Sequence, residues 1–208
     1  MLTLSELWFG SGRGLSDFAV VTIENGVGMG LVLNNQLYRG SFGLGLELGH
    51  TKVQVDGALC RCGQRGCLEA YLADYALVRE AATALNLTLD TKTSHQTALE
   101  TLFSEASAGN AAAKSIFQRA GRFLSLGVSN VIHLFDPALI ILSGERMAYD
   151  FMYAQDVVKD VQALTLSRNQ MSCKVEIHAQ GNLAWARGAT ARALAEVTND
   201  LFTVDGAA

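Results

Sequence analysis

Three of the four cysteines fall within eight residues, in the run Cys60-Arg61-Cys62-Gly63-Gln64-Arg65-Gly66-Cys67, and His50 stands ten residues before the first of them. Thiolates and imidazole are donors that zinc accepts tetrahedrally. Four protein ligands leave no open position, so the set points to a structural rather than a catalytic metal. Gly63 and Gly66 let the backbone fold back so that three sulfurs converge. Cys-x-Cys is too tight for an easy bridge, and a cytosolic chain would keep these thiols reduced. The spacing also departs from that of zinc fingers and ribbons, which argues against a finger that reads nucleic acid. The alternative is a reduced, glycine-rich loop that holds thiols without metal. Cys173 lies far away in a strand-like run and reads as a buried core thiol.

The elements that must position this loop follow from the hydrophobic pattern. With 208 residues, half of them hydrophobic, a real core is within reach. No run approaches the length of a membrane span. The N-terminus has no basic region or cleavage site of a secretory signal, so the expected location is the cytoplasm. A net charge of −4 argues against a large nucleic-acid footprint. Twenty glycines against a single proline mean that many positions use backbone freedom.

The chain opens on a helix with Leu4, Leu7 and Trp8 on one face, stopped by Gly10-Ser11-Gly12. That face is expected to meet a neighbour outside this segment or a partner subunit. Residues 18–24 read as a buried strand, Asn25-Gly26 as a hairpin turn, 28–33 as the returning strand and 36–39 as a third. Thr51 to Val55 alternates and reads as a half-exposed strand. Helical patterns cover about 68–86, 95–108, 111–135, 147–164 and 184–197, with strands at 138–142 and 173–178. Antiparallel strands first, then strands alternating with helices, imply an α/β domain with a mixed sheet.

Glu47-Leu48-Gly49-His50 together with the cysteine block and Leu68-Glu69 resembles the signature of the ROK family, the repressors, open reading frames and sugar kinases. Leu37-Tyr38-Arg39-Gly40, Asp56-Gly57-Ala58-Leu59, Phe135-Asp136-Pro137 and Gly188-Ala189 support the resemblance, which covers nearly the whole chain. It implies the C-terminal domain of an actin-like ATPase (ribonuclease H-like) fold, a mixed sheet with flanking helices and a zinc loop. Residues 1–15 would be the remnant of an N-terminal-domain helix, 16–183 the sugar- and zinc-binding domain, and 184–208 the C-terminal helix and tail. His50, Cys60, Cys62 and Cys67 would hold zinc, and Glu47, His50 and Glu69 a hexose or N-acetylhexosamine. Carboxylates accept paired bonds from vicinal hydroxyls, and a zinc-bound imidazole donates through its other nitrogen.

The resemblance also marks departures from the kinases of that family. In family register the first phosphate loop has no counterpart here, and the catalytic Asp would fall before residue 1. The second phosphate loop reads Glu24-Asn25-Gly26-Val27-Gly28-Met29-Gly30, with Glu24-Asn25 where Gly-Thr is usual. A carboxylate there repels phosphate oxygens. Ser143-Gly144-Glu145 is a partial match to the nucleotide-side glycine turn. Phosphoryl transfer is nearly all positioning and charge stabilisation. The expectation is therefore a non-enzyme without ATP: the sugar-sensing, oligomerising part of a ROK-type regulator, in a homodimer or higher homo-oligomer. DNA would be met only through a winged helix absent from these residues. The alternatives are the C-terminal domain of an ATP-dependent sugar kinase and a zinc-stabilised interaction module without ligand.

Overall fold

A computed structural model describes residues 1–86, 95–144, 155–166, 173–178 and 183–203. Its elements are α1 (Leu2–Phe9), β1 (Phe18–Ile23), β2 (Val27–Leu33), β3 (Gln36–Leu37), a 3-10 turn (Leu48–His50), α2 (Glu69–Leu72), α3 (Asp74–Ala84), α4 (His95–Ser107), α5 (Ala111–Phe135), β4 (Leu139–Ser143), α6 (Gln155–Leu164), β5 (Lys174–His178) and α7 (Leu183–Thr203).

The strands form one mixed sheet in the order β3-β2-β1-β4-β5. β1 pairs antiparallel with β2, and parallel with β4, which in turn pairs parallel with β5. The central strands are apolar on both faces because both faces are covered. Ala19, Val21, Ile23, Ile140 and Leu142 meet the core that also holds Leu77, Leu102 and Leu124 of the helices. Phe18, Val20, Val32, Leu139 and Ile141 form a second cluster with Leu2. The link from β2 to β3 is two residues long, Asn34-Asn35, both at positive φ. That is the conformation a tight hairpin turn requires, and asparagine tolerates it.

The long helix α5 packs into the main core with the sheet, and Phe123 near its middle meets the cluster that holds Cys60 and Cys67. It starts at Asn110, whose Oδ1 accepts the backbone N–H groups of Ala112 and Ala113. Side-chain caps of this kind satisfy otherwise orphaned donors. It stops at Asp136 in the left-handed region at φ 44°, just before Pro137.

Three expectations need correction. Thr51 to Val55 forms no strand. Lys52 makes an isolated bridge with Cys67, the Val53 N–H donates to Gly66 O at 2.9 Å, and Val55 is exposed. Its alternation reflects pairing with the cysteine loop rather than a place in the sheet. The helix expected over 68–86 is two helices, broken where Ala73 is extended (ψ 156°). The break frees the Asp74 N–H to donate to Glu24 O at 3.1 Å. The apolar face of α1 is also used within the chain. Leu4 is buried, Leu7 packs on the second cluster, and α1 lies against α7. The close fit of Gly188 to the Met1 carbonyl allows that approach.

The first part of the helix expected over 147–164 lies outside the described residues, as does Glu145. Cys173 is half-buried rather than fully buried, and burial, with the Asp136 charge, raises its thiol to about 11. Among the described residues no helix is long and apolar enough to cross a membrane.

Candidate functional site

His50 ends the 3-10 turn, and the three cysteines follow in a loop turned twice by glycine. Gly63 and Gly66 sit at φ 84° and 75°, and a side chain on Gly66 would strike the Gln54 carbonyl. These are conformations that glycine adopts without steric cost. The Cys60 N–H donates to Gln64 O and the Gly63 N–H to Cys60 O, which closes the turn. The loop is pressed onto α5 by Tyr71, whose ring stacks on Phe123 at 3.9 Å and whose hydroxyl accepts the Ala58 N–H.

The four donor atoms of His50, Cys60, Cys62 and Cys67 lie within 4.8 Å of one another. Cys60 Sγ is 3.7 Å from His50 Nδ1, and Cys62 Sγ is 3.7 Å from Cys67 Sγ. Zinc–ligand bonds at the tetrahedral angle separate two sulfurs by about 3.8 Å, and a sulfur from a ring nitrogen by about 3.6 Å. The spacings are therefore compatible with a structural zinc site, and all four cysteines are free of disulfides. Hydrogen bonding from the Gln64 backbone lowers the Cys62 thiol. Burial pushes Cys67 up, while its bond from Lys52 works the other way.

Because Nδ1 of His50 faces the sulfurs, Nε2 points away from them, 4.0 Å from Glu47 Oε2. Glu47 is held in an inverse γ-turn at φ −74°, ψ 58°, closed by the Leu48 N–H donating to Leu46 O at 2.8 Å. Leu46 before it is at φ 67°. Its side chain lines an apolar recess of about 400 Å³ with Met29, Leu48 and Phe135, and Glu47 stands at the rim. Glu69 joins the same group from the start of α2. Its Oε1 lies 3.7 Å from Cys60 Sγ, and its Oε2 accepts the Val27 N–H at 3.2 Å. The structure thus brings Glu47, His50 and Glu69 around the cysteine loop.

The glycine turns also meet. Gly144, at φ 125°, sits so close to Glu24 that an added Cβ would lie 3.2 Å from Glu24 Cγ. This places the Glu24 side chain at the junction of the 24–30 segment and the turn after β4, with Asn25 exposed beside it. The glycines in that segment serve neighbours as well. An added Cβ on Gly26 would lie 2.9 Å from Glu69 Oε2, one on Gly28 3.0 Å from Thr22 Oγ1, and one on Gly30 would strike Thr3 of α1.

One polar cluster escaped the sequence reading. Glu6, buried on α1, accepts the Ser11 N–H through Oε2 and lies 3.2 Å from His178 Nδ1 through Oε1. His178 Nε2 lies 3.0 Å from Glu176 Oε2 and 3.4 Å from Ser11 Oγ. Serine, histidine and buried carboxylate have the outline of a nucleophilic relay. Glu176, however, is the nearer partner of Nε2, so the ring is not free to serve the hydroxyl. The cluster is a clasp between α1 and β5. The Lys174 ammonium, 2.6 Å from Glu176, holds that carboxyl down from 4.5 to about 2, with help from His178 and Ser11 and against burial. A depressed carboxylate contributes stability above its unfolded pKa and loses it as pH falls through the folded one. Urea midpoints of the wild type and Glu176→Gln should therefore differ by a constant amount above pH 5. The difference should shrink between about 4.5 and 2; a gap that stays level across that window would contradict the assignment.

The ROK family model matches residues 1–196. The chain is 35% identical over 147 residues to a glucokinase of Thermotoga maritima, covering 68% of this chain and 46% of that protein. It is 31% identical over 137 residues to the xylose repressor of Bacillus subtilis, covering 66% and 33% respectively. The chain thus spans half or less of the length of either relative. The crystal structure of a ROK hexokinase from Thermus thermophilus superposes with a TM-score of 0.78 at 28% identity, covering 90% of this chain and 62% of that one. Kinases and regulators both stand among the relatives, and the match does not separate them. The mixed sheet and its helices are those of the actin-like ATPase fold as ROK proteins carry it, and the chain belongs to the ROK family.

Proposed function

We propose that the chain is the effector-binding part of a ROK-type transcriptional regulator, which holds a hexose or N-acetylhexosamine at Glu47, His50 and Glu69 without phosphorylating it. In this reading a structural zinc on His50, Cys60, Cys62 and Cys67 fixes His50, so that Nε2 is presented to the sugar. The observation that carries the non-enzymatic part is Glu24. Its side chain lies against Gly144, at the meeting of the two turns that would cradle nucleotide phosphates in a kinase. A carboxylate there opposes phosphate by like charge. The acidic chain, at −4, suits an effector-binding part better than a DNA-reading one. Four free thiols suit the reducing cytoplasm.

The kinase reading has in its favour the 35% identity to the Thermotoga glucokinase and the superposition on the Thermus hexokinase. A single pair of assays tests both. Calorimetric titration with xylose, glucose and N-acetylglucosamine should give binding to one of them. Glu47→Gln should weaken that binding by about tenfold or more, the worth of a charge-assisted hydrogen bond. ATP added with the bound sugar should yield no ADP. Sugar-dependent ADP formation would establish the kinase instead, and an absence of binding to all three would remove the sugar site.

A further inference from the structure

Three thiolates and a neutral imidazole around a divalent cation carry one net negative charge. Cys60 and Cys67 are buried, where uncompensated charge is costly. Each sulfur in the structure has its own donor. Lys52 Nζ donates to Cys67 Sγ at 2.9 Å, the Tyr75 hydroxyl donates to Cys60 Sγ at 3.5 Å, and the Gln64 backbone donates to Cys62. Only the first of these donors is charged. The backbone aims it: Lys52 stands opposite Cys67 in an antiparallel bridge, and its ammonium is also held by Gln64 Oε1 at 2.5 Å. Tyr75 is steadied by Arg61, whose guanidinium lies 4.0 Å over the ring and whose N–H donates to the phenol oxygen.

We infer that Lys52 is the charge-compensating positioning residue of the metal centre. Its ammonium, bonded to the Cys67 sulfur, sets how long zinc is retained, and Tyr75 supplies a smaller, neutral share at Cys60. The inference rests on the zinc reading above. Hydrogen bonds from an ionised donor are roughly twice as strong as neutral ones. Outer partners of metal ligands are worth about 10–100-fold in metal affinity.

The test is zinc release from the loaded protein into excess colorimetric chelator, followed for wild type, Lys52→Met, Lys52→Arg and Tyr75→Phe. Lys52→Met should release zinc about 10–100-fold faster, Tyr75→Phe only a few-fold faster, and Lys52→Arg close to the wild-type rate. Cobalt substitution supplies a second readout. The thiolate-to-cobalt and d–d bands should be the same in wild type and Lys52→Met, because the four ligands are unchanged. Lys52→Gln replaces Lys52→Met if the latter fails to fold. Release at the wild-type rate from the neutral variant would overturn the inference, as would altered cobalt bands. A wild-type protein that takes up neither zinc nor cobalt would instead overturn the zinc reading, and this inference with it.

Discussion

Stripping the metal from the purified protein should lower its melting temperature by about 10 °C. A ligand present at a thousand times its dissociation constant stabilises by about 4 kcal/mol. For a chain of this size, each kcal/mol shifts the melting point by roughly 2–4 °C. The loss should stop short of global unfolding. The cysteine loop keeps contacts that need no metal, namely the Tyr71–Phe123 stack and the Tyr71 bond to Ala58. Cys67→Ser should reproduce most of the loss and abolish zinc binding, whereas Cys173→Ser should leave the zinc content unchanged, since Cys173 lies outside the cluster and packs against the main core. Elemental analysis must find one zinc per chain. If it finds none, and chelation leaves the melting curve in place, the assignment is wrong.

His178→Ala is expected to cost about 3 kcal/mol, as much as truncating a buried core side chain. Glu6 is 3% exposed, and the imidazole stands against it at 3.2 Å. Removing the imidazole takes one polar partner from the buried carboxyl, which keeps the Ser11 N–H but not the contact with β5. Glu6→Gln with His178→Ala should recover part of the loss, because the buried group is then neutral. Urea unfolding of the two single variants and the double variant gives the coupling directly. Independent, additive effects would show that the clasp does not act as a unit. Because the clasp joins α1 to the last strand, its loss should also loosen α1 from the sheet, which faster amide exchange over residues 2–9 would register.

The two sites differ in how readily the sequence discloses them. The metal loop is legible because its chemistry is carried by residue types at short spacing, with glycines placed where the backbone must reverse. Glu47 and Glu69 were legible only through the family signature, since an isolated carboxylate on a loop or helix start says little. The clasp was not legible: Glu6 and His178 are 172 residues apart, and only the parallel pairing of β4 with β5 sets His178 near the end of α1. The break at Ala73 was hidden for a related reason. Alanine favours helix everywhere, and what stops the helix is the distant Glu24 carbonyl that takes the Asp74 N–H. Thr51 to Val55 misled because alternation marks pairing but does not name the partner. The strands themselves were readable, since β1 and β4 are short β-branched runs buried on both faces.

The bonds on either side of that break have a mechanical consequence. Glu69 at the start of α2 accepts the Val27 N–H and the Asp74 N–H at the start of α3 donates to the Glu24 carbonyl, so the two helices on either side of Ala73 strap the β1–β2 turn at both shoulders. A ligand that draws the Glu69 carboxylate toward itself must slacken one strap. By reciprocity, anything that tightens the turn withholds Glu69 from that ligand. One carboxylate is thus shared between the β1–β2 turn, through the Val27 N–H, and the cysteine loop, through the Cys60 sulfur 3.7 Å away, so what is taken by one side is withheld from the other.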